Sequence, residues 1–400
     1  MASAAKATVK RAGKAAADGF FGGLLAARRL LPAGVDDALF HLPRREVSFD
    51  ADGVRATRLW MEHACTLEPA TDLAGTRWSA LDGDARPPQE LVVVRVARGR
   101  VVGRRCAVVA PGGRLVRDAS PFLGAHTGIV HPELRRHAWL PRPRRVEGTV
   151  LVAGNAGAGN YYHWVVEGLR RLLEARRVCE EQGVDLSRAK VAVSRARIEA
   201  VDACLRALGI GEDRVVRMGQ FEQIEADEVV AASVPSCTLG VTAEASRTLR
   251  AFRAPFDAQA ARHPRRFVVL RRGLQSFLNE HEVIDALTPF GFAAVRLESM
   301  PFEAQQALFA GAEAVVAPHG AGLVNLAWSQ RACEVLEVFP ERYLNPCFRR
   351  ICAAASASGG AAIGHSFLVS PPARERVDRA SDRMQVDIAA LRAWAAALRR

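Results

Sequence analysis

Short apolar runs alternate with amphipathic stretches along most of the chain. Runs with the length of buried strands occur at residues 91–96, 106–110, 149–153, 191–193, 228–231, 266–270, 292–297, 314–317 and 335–339. Between several of them lie stretches such as 197–208, which have the character of helices that pack on a sheet. This alternation predicts an α/β protein with doubly wound sheets.

The pattern also predicts how the chain divides. Residues 1–90 have poor periodicity and are expected to form a partly irregular extension. A charged stretch at 247–264 with two prolines is expected to link two Rossmann-like domains, at 91–255 and 256–370. Helical spacing near the end predicts that 371–400 contains a helix, which we expect to pack back on the first domain.

One stretch, 314–339, has the order of elements of a βαβ unit. A strand ends at Pro318, the small-residue turn His319, Gly320, Ala321 and Gly322 follows, and a helical segment leads to the next strand. Glycines let the backbone approach a ligand closely, and a helix N-terminus offers free N–H groups, so the turn suits a phosphate. The alternative is a compact turn whose glycines serve packing only.

Two arginines stand at the carboxyl end of another predicted strand. Arg271 and Arg272 follow the run at 266–270, and open α/β sheets bind ligands at the carboxyl ends of their strands. A phosphate site and a salt-bridged surface both fit these residues. Downstream, Asn279 and Glu282 have the spacing of a helix N-cap with a carboxylate three residues on.

A second glycine-rich loop follows the strand at 149–153. Its glycines are out of register with a dinucleotide fingerprint, so that signal is weak. In the helix that starts near Tyr161, His163 and Glu167 are four residues apart and share one face. They predict either an acid–base pair or a structural pair on a solvated face.

Composition limits the classes of ligand and metal site that the sequence predicts. The net charge of +12 comes mostly from arginine and favours anionic partners, although genome composition accounts for the same bias. The eight cysteines are scattered without a CxxC pair, which is typical of buried residues in a reducing cytoplasm. The formal DxD at Asp82 and Asp84 lies in a polar, proline-flanked loop, and His126, His131 and His137 have no metal-ligand spacing, so no metal site is predicted.

Four segments together resemble the family 61 glycosyltransferases, which include capsular polysaccharide proteins. They are NYYHWVVEGL at 160–169, VVLRR-x6-NEHEV at 268–283, MPFEAQQALFAGAEAVVAPHGAGLVNLAW at 300–328 and EVLEVFP at 334–340. The resemblance implies a GT-B architecture, two Rossmann-like domains facing across a cleft, and inverting transfer from a nucleotide sugar, usually UDP-linked, without a metal. Glu167 departs from the family's usual aspartate, and Ser276 and Phe277 stand where the family often has a second arginine.

The resemblance assigns roles to residues. Glu167 is expected to be the catalytic base, with His163 as its competitor or as the residue that orients it. The residues expected at the donor site are Arg271, Arg272, Asn279, Glu280, His319, Gly320, Ala321, Gly322, Asn325 and Glu337. Within this set, Arg271 and the turn would hold the diphosphate, Asn325 would support the turn, and Glu337 would accept hydrogen bonds from the ribose.

The resulting hypothesis is a cytoplasmic glycosyltransferase of surface or capsular polysaccharide synthesis, with no cofactor beyond its nucleotide-sugar co-substrate. Its acceptor would be a glycan or a lipid-linked glycan, and the basic N-terminus offers a peripheral contact with the inner membrane face. One alternative is a nucleic-acid-binding protein, but aromatic residues are only 6% and the arginines are spread out, so no nucleic acid is expected. Another alternative is a catalytically inactive relative that binds glycans.

Overall fold

The computed structural model describes residues 45–83, 86–120, 122, 131, 133, 140–155, 157, 159–196, 198–235, 240–252, 262–273, 275–371 and 383–398. These residues form a ten-stranded sheet and a five-stranded sheet, both covered by helices. The predicted α/β class is therefore confirmed. His126, His137, Asp84 and the N-terminal lysines lie outside the described residues.

The first sheet combines an antiparallel part with a parallel part. Its strands are β1 Arg45–Val47, β2 Val54–Glu62, β3 Gln89–Ala97, β4 Arg100–Val102, β5 Ala107–Ala110, β6 Arg114–Val116, β7 Arg144–Val152, β8 Lys190–Ser194, β9 Val215–Met218 and β10 Gln223–Ala232. The order is β1-β6-β5-β4-β10-β7-β8-β9, with β3 on β10 and β2 on β3. Four neighbouring strands, β10, β7, β8 and β9, are parallel. The chain runs from β7 to β8 and β9 on one side and then returns to β10 on the other side of β7, so a topological switch point lies between β7 and β10.

The second sheet is parallel throughout. Its strands are β11 Arg266–Val269, β12 Ala293–Val295, β13 Ala314–Pro318, β14 Cys333–Pro340 and β15 Ile363–Ser370, in the order β12-β11-β13-β14-β15. The chain leaves β11 for the edge strand β12 and then returns to β13 on the other side. The switch point, where doubly wound sheets bind ligands, therefore lies between the carboxyl ends of β11 and β13.

Seven helices and several short 3₁₀ turns cover the two sheets within the described residues. Helix α1 consists of Tyr161–His163, a π-helical turn Trp164–Leu169 and Arg170–Glu181; the others are α2 Glu199–Ala207, α3 Ala243–Ala251, α4 Glu280–Leu287, α5 Phe302–Ala310, α6 Cys347–Ala357 and α7 Ile388–Ala397. The 3₁₀ helices are Ser79–Leu81, Glu212–Arg214, Thr288–Phe290, Leu297–Ser299 and Ala321–Trp328. Ala321–Trp328 connects β13 to β14, so the predicted βαβ unit is present with a 3₁₀ connection.

One apolar core joins the two sheets. It contains Leu151 and Val191 from the first sheet and Phe267 and Val315 from the second, packed around α1, α2, α3 and α5. Burial of this continuous apolar surface is the main force that holds the two units together. The strands that end at the two switch points therefore pack on the same apolar core.

The two ends of the chain differ from expectation. Helix α7 packs on α4 beside the second sheet, where Trp394 meets Phe292 at a centroid distance of 6.2 Å, so the predicted packing on the first domain is wrong. Its amphipathic spacing predicted a buried face without specifying the partner. The stretch 45–90, expected to be partly irregular, supplies β1, β2 and the start of β3, and its Leu81 packs against Phe339.

The described cysteines are free, and most are buried, as expected of small hydrophobic residues. Within the described ranges, no helix has the length and apolarity needed to cross a bilayer.

Candidate functional site

Arg271 lies against the glycine turn at the switch point of the second sheet. It follows β11, and its Nη1 donates to Gln275 Oε1 at 2.8 Å and to the backbone oxygen of His319 at 3.5 Å. A β-carbon on Gly320 would meet Arg271 Nη1 at 2.4 Å, so the absence of a side chain there lets the guanidinium approach the turn. The arginine and the turn, predicted from separate segments, therefore come together.

A buried carboxylate holds the histidine of this turn. His319 Nδ1 lies 2.5 Å from Glu337 Oε1, and His365 Nε2 lies 2.8 Å from Glu337 Oε2. Burial alone would raise the pKa of Glu337, but the hydrogen bonds and charges of the two histidines outweigh burial and lower it. Since Nδ1 of His319 is engaged by the carboxylate, Nε2 is the ring nitrogen that could meet a ligand.

The ribose contact predicted for Glu337 does not fit this geometry. Glu337 is fully buried in β14, and both of its oxygens accept hydrogen bonds from histidine. His319 is also stacked on Phe339, with centroids 5.0 Å apart. Glu337 therefore acts on this site by fixing the position and tautomer of His319.

The turn continues directly into the 3₁₀ helix Ala321–Trp328. Gly320 precedes it with φ 169°, an extended conformation, and Ala321 and Gly322 begin it. Asn325 Nδ2 donates to Gly322 O at 3.0 Å and to Gln305 Oε1 at 3.2 Å, so this side chain braces the turn from inside.

Three other residues predicted at the donor site have different surroundings. Arg272 is exposed beside Arg271. Asn279 is buried and exchanges two hydrogen bonds of 3.0 Å with the backbone of Val386 near the C-terminus. Glu280 pairs with Arg296 at 2.5 Å. Asn279 and Glu280 thus fasten α4 to its neighbours and are not brought to the turn.

The second half of the site lies at the start of α1, after the carboxyl end of β7. Asn160 caps this helix, and His163 Nδ1 lies 2.6 Å from Glu167 Oε1. The loop backbone closes over the imidazole, because a β-carbon on Gly157 would meet the His163 ring at 2.2 Å. The parallel-strand geometry of the first sheet therefore carries this pair to its switch point.

Burial differs sharply between the two partners. The side chain of His163 is 21% exposed and that of Glu167 only 2%, because the π-helical turn Trp164–Leu169 carries the carboxylate inward. Glu167 Oε2 has no hydrogen-bond partner among the described residues. The predicted pairing is present, but it is not the pair on a solvated face that the sequence left open.

Burial and the neighbouring Glu167 act in opposite directions on the pKa of His163. Burial alone would lower the pKa of His163, but the hydrogen bond and the charge of Glu167 outweigh burial and raise its pKa above the usual value. A neutral His163 that donates from Nδ1 to the carboxylate presents a lone pair at Nε2. The pair can therefore remove a proton from a hydroxyl group placed at the exposed edge of the ring.

A hydrogen bond and a row of aromatic contacts join the part of the site on α1 to the part at the glycine turn. Tyr161 Oη donates to Asn325 Oδ1 at 2.6 Å, and burial raises the pKa of this phenol well above its usual value, so it stays a neutral donor. A row of aromatic contacts runs from His163 through Tyr162 and Phe348 to His319, with centroid distances of 5.4, 5.7 and 5.1 Å. The two histidines therefore share one packed frame.

The sequence analysis missed Tyr161, Phe348 and His365 as contributors to this frame. Tyr161 had a signal, since it stands inside the segment NYYHWVVEGL, which the sequence analysis had already singled out. His365 lies in β15 and reaches Glu337 on the neighbouring strand, a pairing that no local pattern reveals. Among the described residues, no cluster of three or more His, Cys, Asp or Glu side chains could hold a metal ion.

One protein-family model matches part of the chain. The model of the family Glycosyltransferase 61 matches residues 161–336. The matched span starts at Tyr161 and ends directly before Glu337, so it contains the His163–Glu167 pair, Arg271 and the glycine turn. The resemblance to family 61 is therefore confirmed over this span. No curated protein matches the chain significantly.

Proposed function

Since residues 161–336 are a glycosyltransferase family 61 region, which implies a glycosyltransferase, we propose that the protein transfers a sugar from a nucleotide-sugar donor to a glycan hydroxyl. The donor is proposed to be UDP-linked and the transfer to invert the anomeric configuration. The acceptor is a glycan or a lipid-linked glycan of surface or capsular polysaccharide synthesis. The observation that carries this proposal is the contact of Arg271 with the glycine turn at the switch point between β11 and β13.

The donor half is suited to a departing diphosphate. The Arg271 guanidinium, the His319 ring held by Glu337 and the N–H groups that begin the 3₁₀ helix converge on one turn. Cationic and N–H donors fixed before the reaction stabilise negative charge as it develops on the leaving group. This arrangement supports transfer without a metal ion.

The acceptor half supplies the base. In the proposed step, the acceptor oxygen forms a bond to the anomeric carbon while the bond from that carbon to the diphosphate breaks. The hydroxyl proton moves to His163 Nε2, and the carboxylate of Glu167 stabilises the imidazolium through Nδ1. Its greater exposure supports His163 as the group that touches the acceptor, with Glu167 in the positioning role.

The two switch points support a GT-B arrangement for these half-sites. His163 follows β7 of the first sheet, and Arg271 follows β11 of the second. Each lies where a doubly wound sheet binds ligands, and Tyr161 with Asn325 connects them. We propose a cleft between the two units, with the donor held by the second and the acceptor by the first.

A cytoplasmic location follows from the proposed use of a nucleotide sugar. The contact of the basic N-terminus with the inner membrane face remains a proposal, since residues 1–44 lie outside the described part of the chain.

Calorimetric titration of UDP into the wild type, Arg271→Met and Arg272→Met tests the donor site. The two variants lose the same charge from adjacent positions, but only Arg271 contacts the turn. A hydrogen bond to a charged group contributes about 1.5–3 kcal/mol. We therefore expect Arg271→Met to weaken UDP binding about 10- to 150-fold and Arg272→Met to change it little.

Equal losses in both variants would show that general charge, and not the turn, binds UDP. No response to UDP together with salt-sensitive binding of RNA or DNA would favour the nucleic-acid alternative. UDP binding without turnover of any UDP-sugar would favour the inactive relative. Turnover should persist in EDTA, and its loss with recovery on adding Mn²⁺ or Mg²⁺ would contradict the metal-independent mechanism.

A further inference from the structure

A chain of side-chain hydrogen bonds runs from the start of α1 to the glycine turn and on to α5. Tyr161 Oη donates to Asn325 Oδ1 at 2.6 Å. Asn325 Nδ2 donates in turn to Gly322 O at 3.0 Å and to Gln305 Oε1 at 3.2 Å. Gln305 Nε2 donates to two backbone oxygens of the segment that precedes α5, at 3.0 Å each. A helix of the first unit is therefore tied to the second unit through the residue that braces the turn.

The two amides at the centre of this chain can take only one arrangement. Asn325 is fully buried, and both amide groups use two donated and at least one accepted hydrogen bond. Turning the Asn325 amide over would place its oxygen against the oxygens of Gly322 and Gln305. In a buried network with every member paired, each bond fixes the direction of the next. The hydroxyl of Tyr161 therefore meets an acceptor whose position is set by the turn.

The turn itself is held from two directions by the same network. A β-carbon on Gly322 would meet Leu297 Cδ1 at 2.6 Å, so the glycine lets this leucine pack directly against the backbone. The backbone oxygen of Leu297 is one of the two acceptors of Gln305 Nε2, and Asn325 holds the oxygen of Gly322. These contacts lie within the second unit and do not require Tyr161. The tyrosine adds only the connection to the first unit.

Tyr161 also stands two residues before His163 on α1. Its ring contacts Phe302 edge to face, with centroids 6.2 Å apart, so the ring is packed without the help of its hydroxyl. Burial raises the pKa of this phenol well above its usual value, which keeps it uncharged. It therefore adds no charge that would alter the basicity of His163 or the binding of a diphosphate. What its hydroxyl can fix is the position of the turn relative to the helix that carries His163.

We propose that Tyr161 is a positioning residue of the transfer reaction, an inference that rests on the proposed function. In the proposed mechanism, UDP binds to Arg271 and the glycine turn, which both belong to the second unit. Transfer requires, in addition, that the base on the first unit lies at the correct distance from the donor, and small displacements of reacting groups are costly. The Tyr161 hydroxyl maintains that distance through Asn325. Its loss slows the transfer step and leaves UDP binding close to normal.

Turnover of a UDP-sugar and calorimetric binding of UDP, measured on the full-length wild type and Tyr161→Phe, test this role. Phenylalanine keeps the ring and removes only the hydroxyl. We expect kcat to fall about five- to tenfold, as for one neutral hydrogen bond lost in the transition state, and UDP affinity to change less than about twofold. The acid limb of the kcat profile should stay in place, because the variant removes no charge from His163. A change of base strength would move that limb.

Thr248→Val is the matched control for lost stability. Thr248 Oγ1 donates to Glu174 Oε1 at 2.6 Å, the same length as the Tyr161 bond, and this contact between α3 and α1 involves no residue of the candidate site. The control should lower the unfolding temperature and leave kcat unchanged. Asn325→Leu removes the acceptor, so adding Tyr161→Phe to it should lower kcat no further. If Asn325→Leu does not fold, kcat and UDP affinity of Tyr161→Phe decide alone.

Wild-type kcat in Tyr161→Phe overturns the inference, as does a loss of UDP affinity as large as the loss of kcat. It is also overturned if Thr248→Val slows turnover equally, since lost stability would then explain both variants, or if the effects of Tyr161→Phe and Asn325→Leu multiply. A wild type that turns over no UDP-sugar refutes the proposed function and the inference with it. Turnover by the wild type with an unaffected Tyr161→Phe refutes the inference alone, so the two failures are distinguishable.

Discussion

Replacing Glu167 by glutamine should shift the pH dependence of turnover and not only its rate. His163 must be neutral at Nε2 to accept a proton, so activity should rise as His163 deprotonates. In the wild type, the hydrogen bond and charge of Glu167 raise the pKa of His163 against the effect of burial. Glu167→Gln removes that charge, so the pKa of His163 should fall and the acid limb of the kcat profile should move to lower pH.

The expected size of the rate effect follows from the 2.6 Å contact between His163 Nδ1 and Glu167 Oε1. Exchanging a hydrogen bond to a charged group for a neutral one costs about 1–1.5 kcal/mol, or about tenfold in rate if the loss falls on the transition state. Removal of the base itself typically costs about 10²–10⁴. Glu167→Gln should therefore lose about tenfold in kcat, and His163→Ala about 10²–10⁴.

Turnover of a UDP-sugar should be followed from acidic to alkaline pH, with donor affinity measured in parallel. Glu174→Gln is the matched control, because Glu174 is a buried carboxylate of the same helix that pairs with Arg177 and Thr248 away from His163. It should leave the acid limb in place. An inactive Glu167→Gln beside a near-normal His163→Ala would refute this reasoning and make Glu167 the base, as the sequence analysis expected.

Two further predictions concern the donor half. Gly320→Val should fold, because the backbone at Gly320 is extended and any residue can adopt it. The new β-carbon would displace the Arg271 guanidinium, so calorimetry should show at least tenfold weaker UDP binding. Unchanged UDP affinity would place the site elsewhere. Glu337→Gln should lower the free energy of unfolding in urea at neutral pH by about 1–1.5 kcal/mol for each weakened hydrogen bond. Because the folded-state pKa of Glu337 is lowered, this stabilisation is present above the ordinary carboxyl pKa and lost as the pH falls through the lowered value, so the difference between variant and wild type should shrink in acid. An equal difference at both pH values would contradict that account.

Local pattern predicted the buried parallel strands well. The runs at 314–317 and 335–339 correspond to β13 Ala314–Pro318 and β14 Cys333–Pro340. Such strands are apolar on both faces, so a short apolar run between turn residues identifies them without knowledge of the partner. The antiparallel strands β2, β4 and β6 were not predicted, because β4 and β6 have only three residues each and β2 carries charged residues along its length, so none of them contains a long apolar run.

The residues of the site were harder to place than the elements that carry them. The spacing of His163 and Glu167 predicted a shared face, and they are in contact. Which of them would be buried depended on the π-helical turn and on the packing of α1 between the two sheets, and neither is encoded in a spacing of four. Similarly, Glu337 stood in a strand that could have ended at a ligand, but its carboxylate accepts hydrogen bonds from His319, in the turn after β13, and from His365 in β15.

The burial of Glu167 also bears on the choice between an enzyme and an inactive glycan-binding relative. The carboxylate of Glu167 is almost fully buried and has one oxygen without a partner among the described residues, and burying a charged group carries a desolvation penalty. A protein that only held a glycan would gain nothing from this cost. An enzyme would, because the buried charge makes the partly exposed His163 a stronger base at the point where the proposed acceptor would meet the donor. The frame from Tyr162 to Phe348 then holds that base at a fixed place relative to His319, as a displacement between two bound substrates requires.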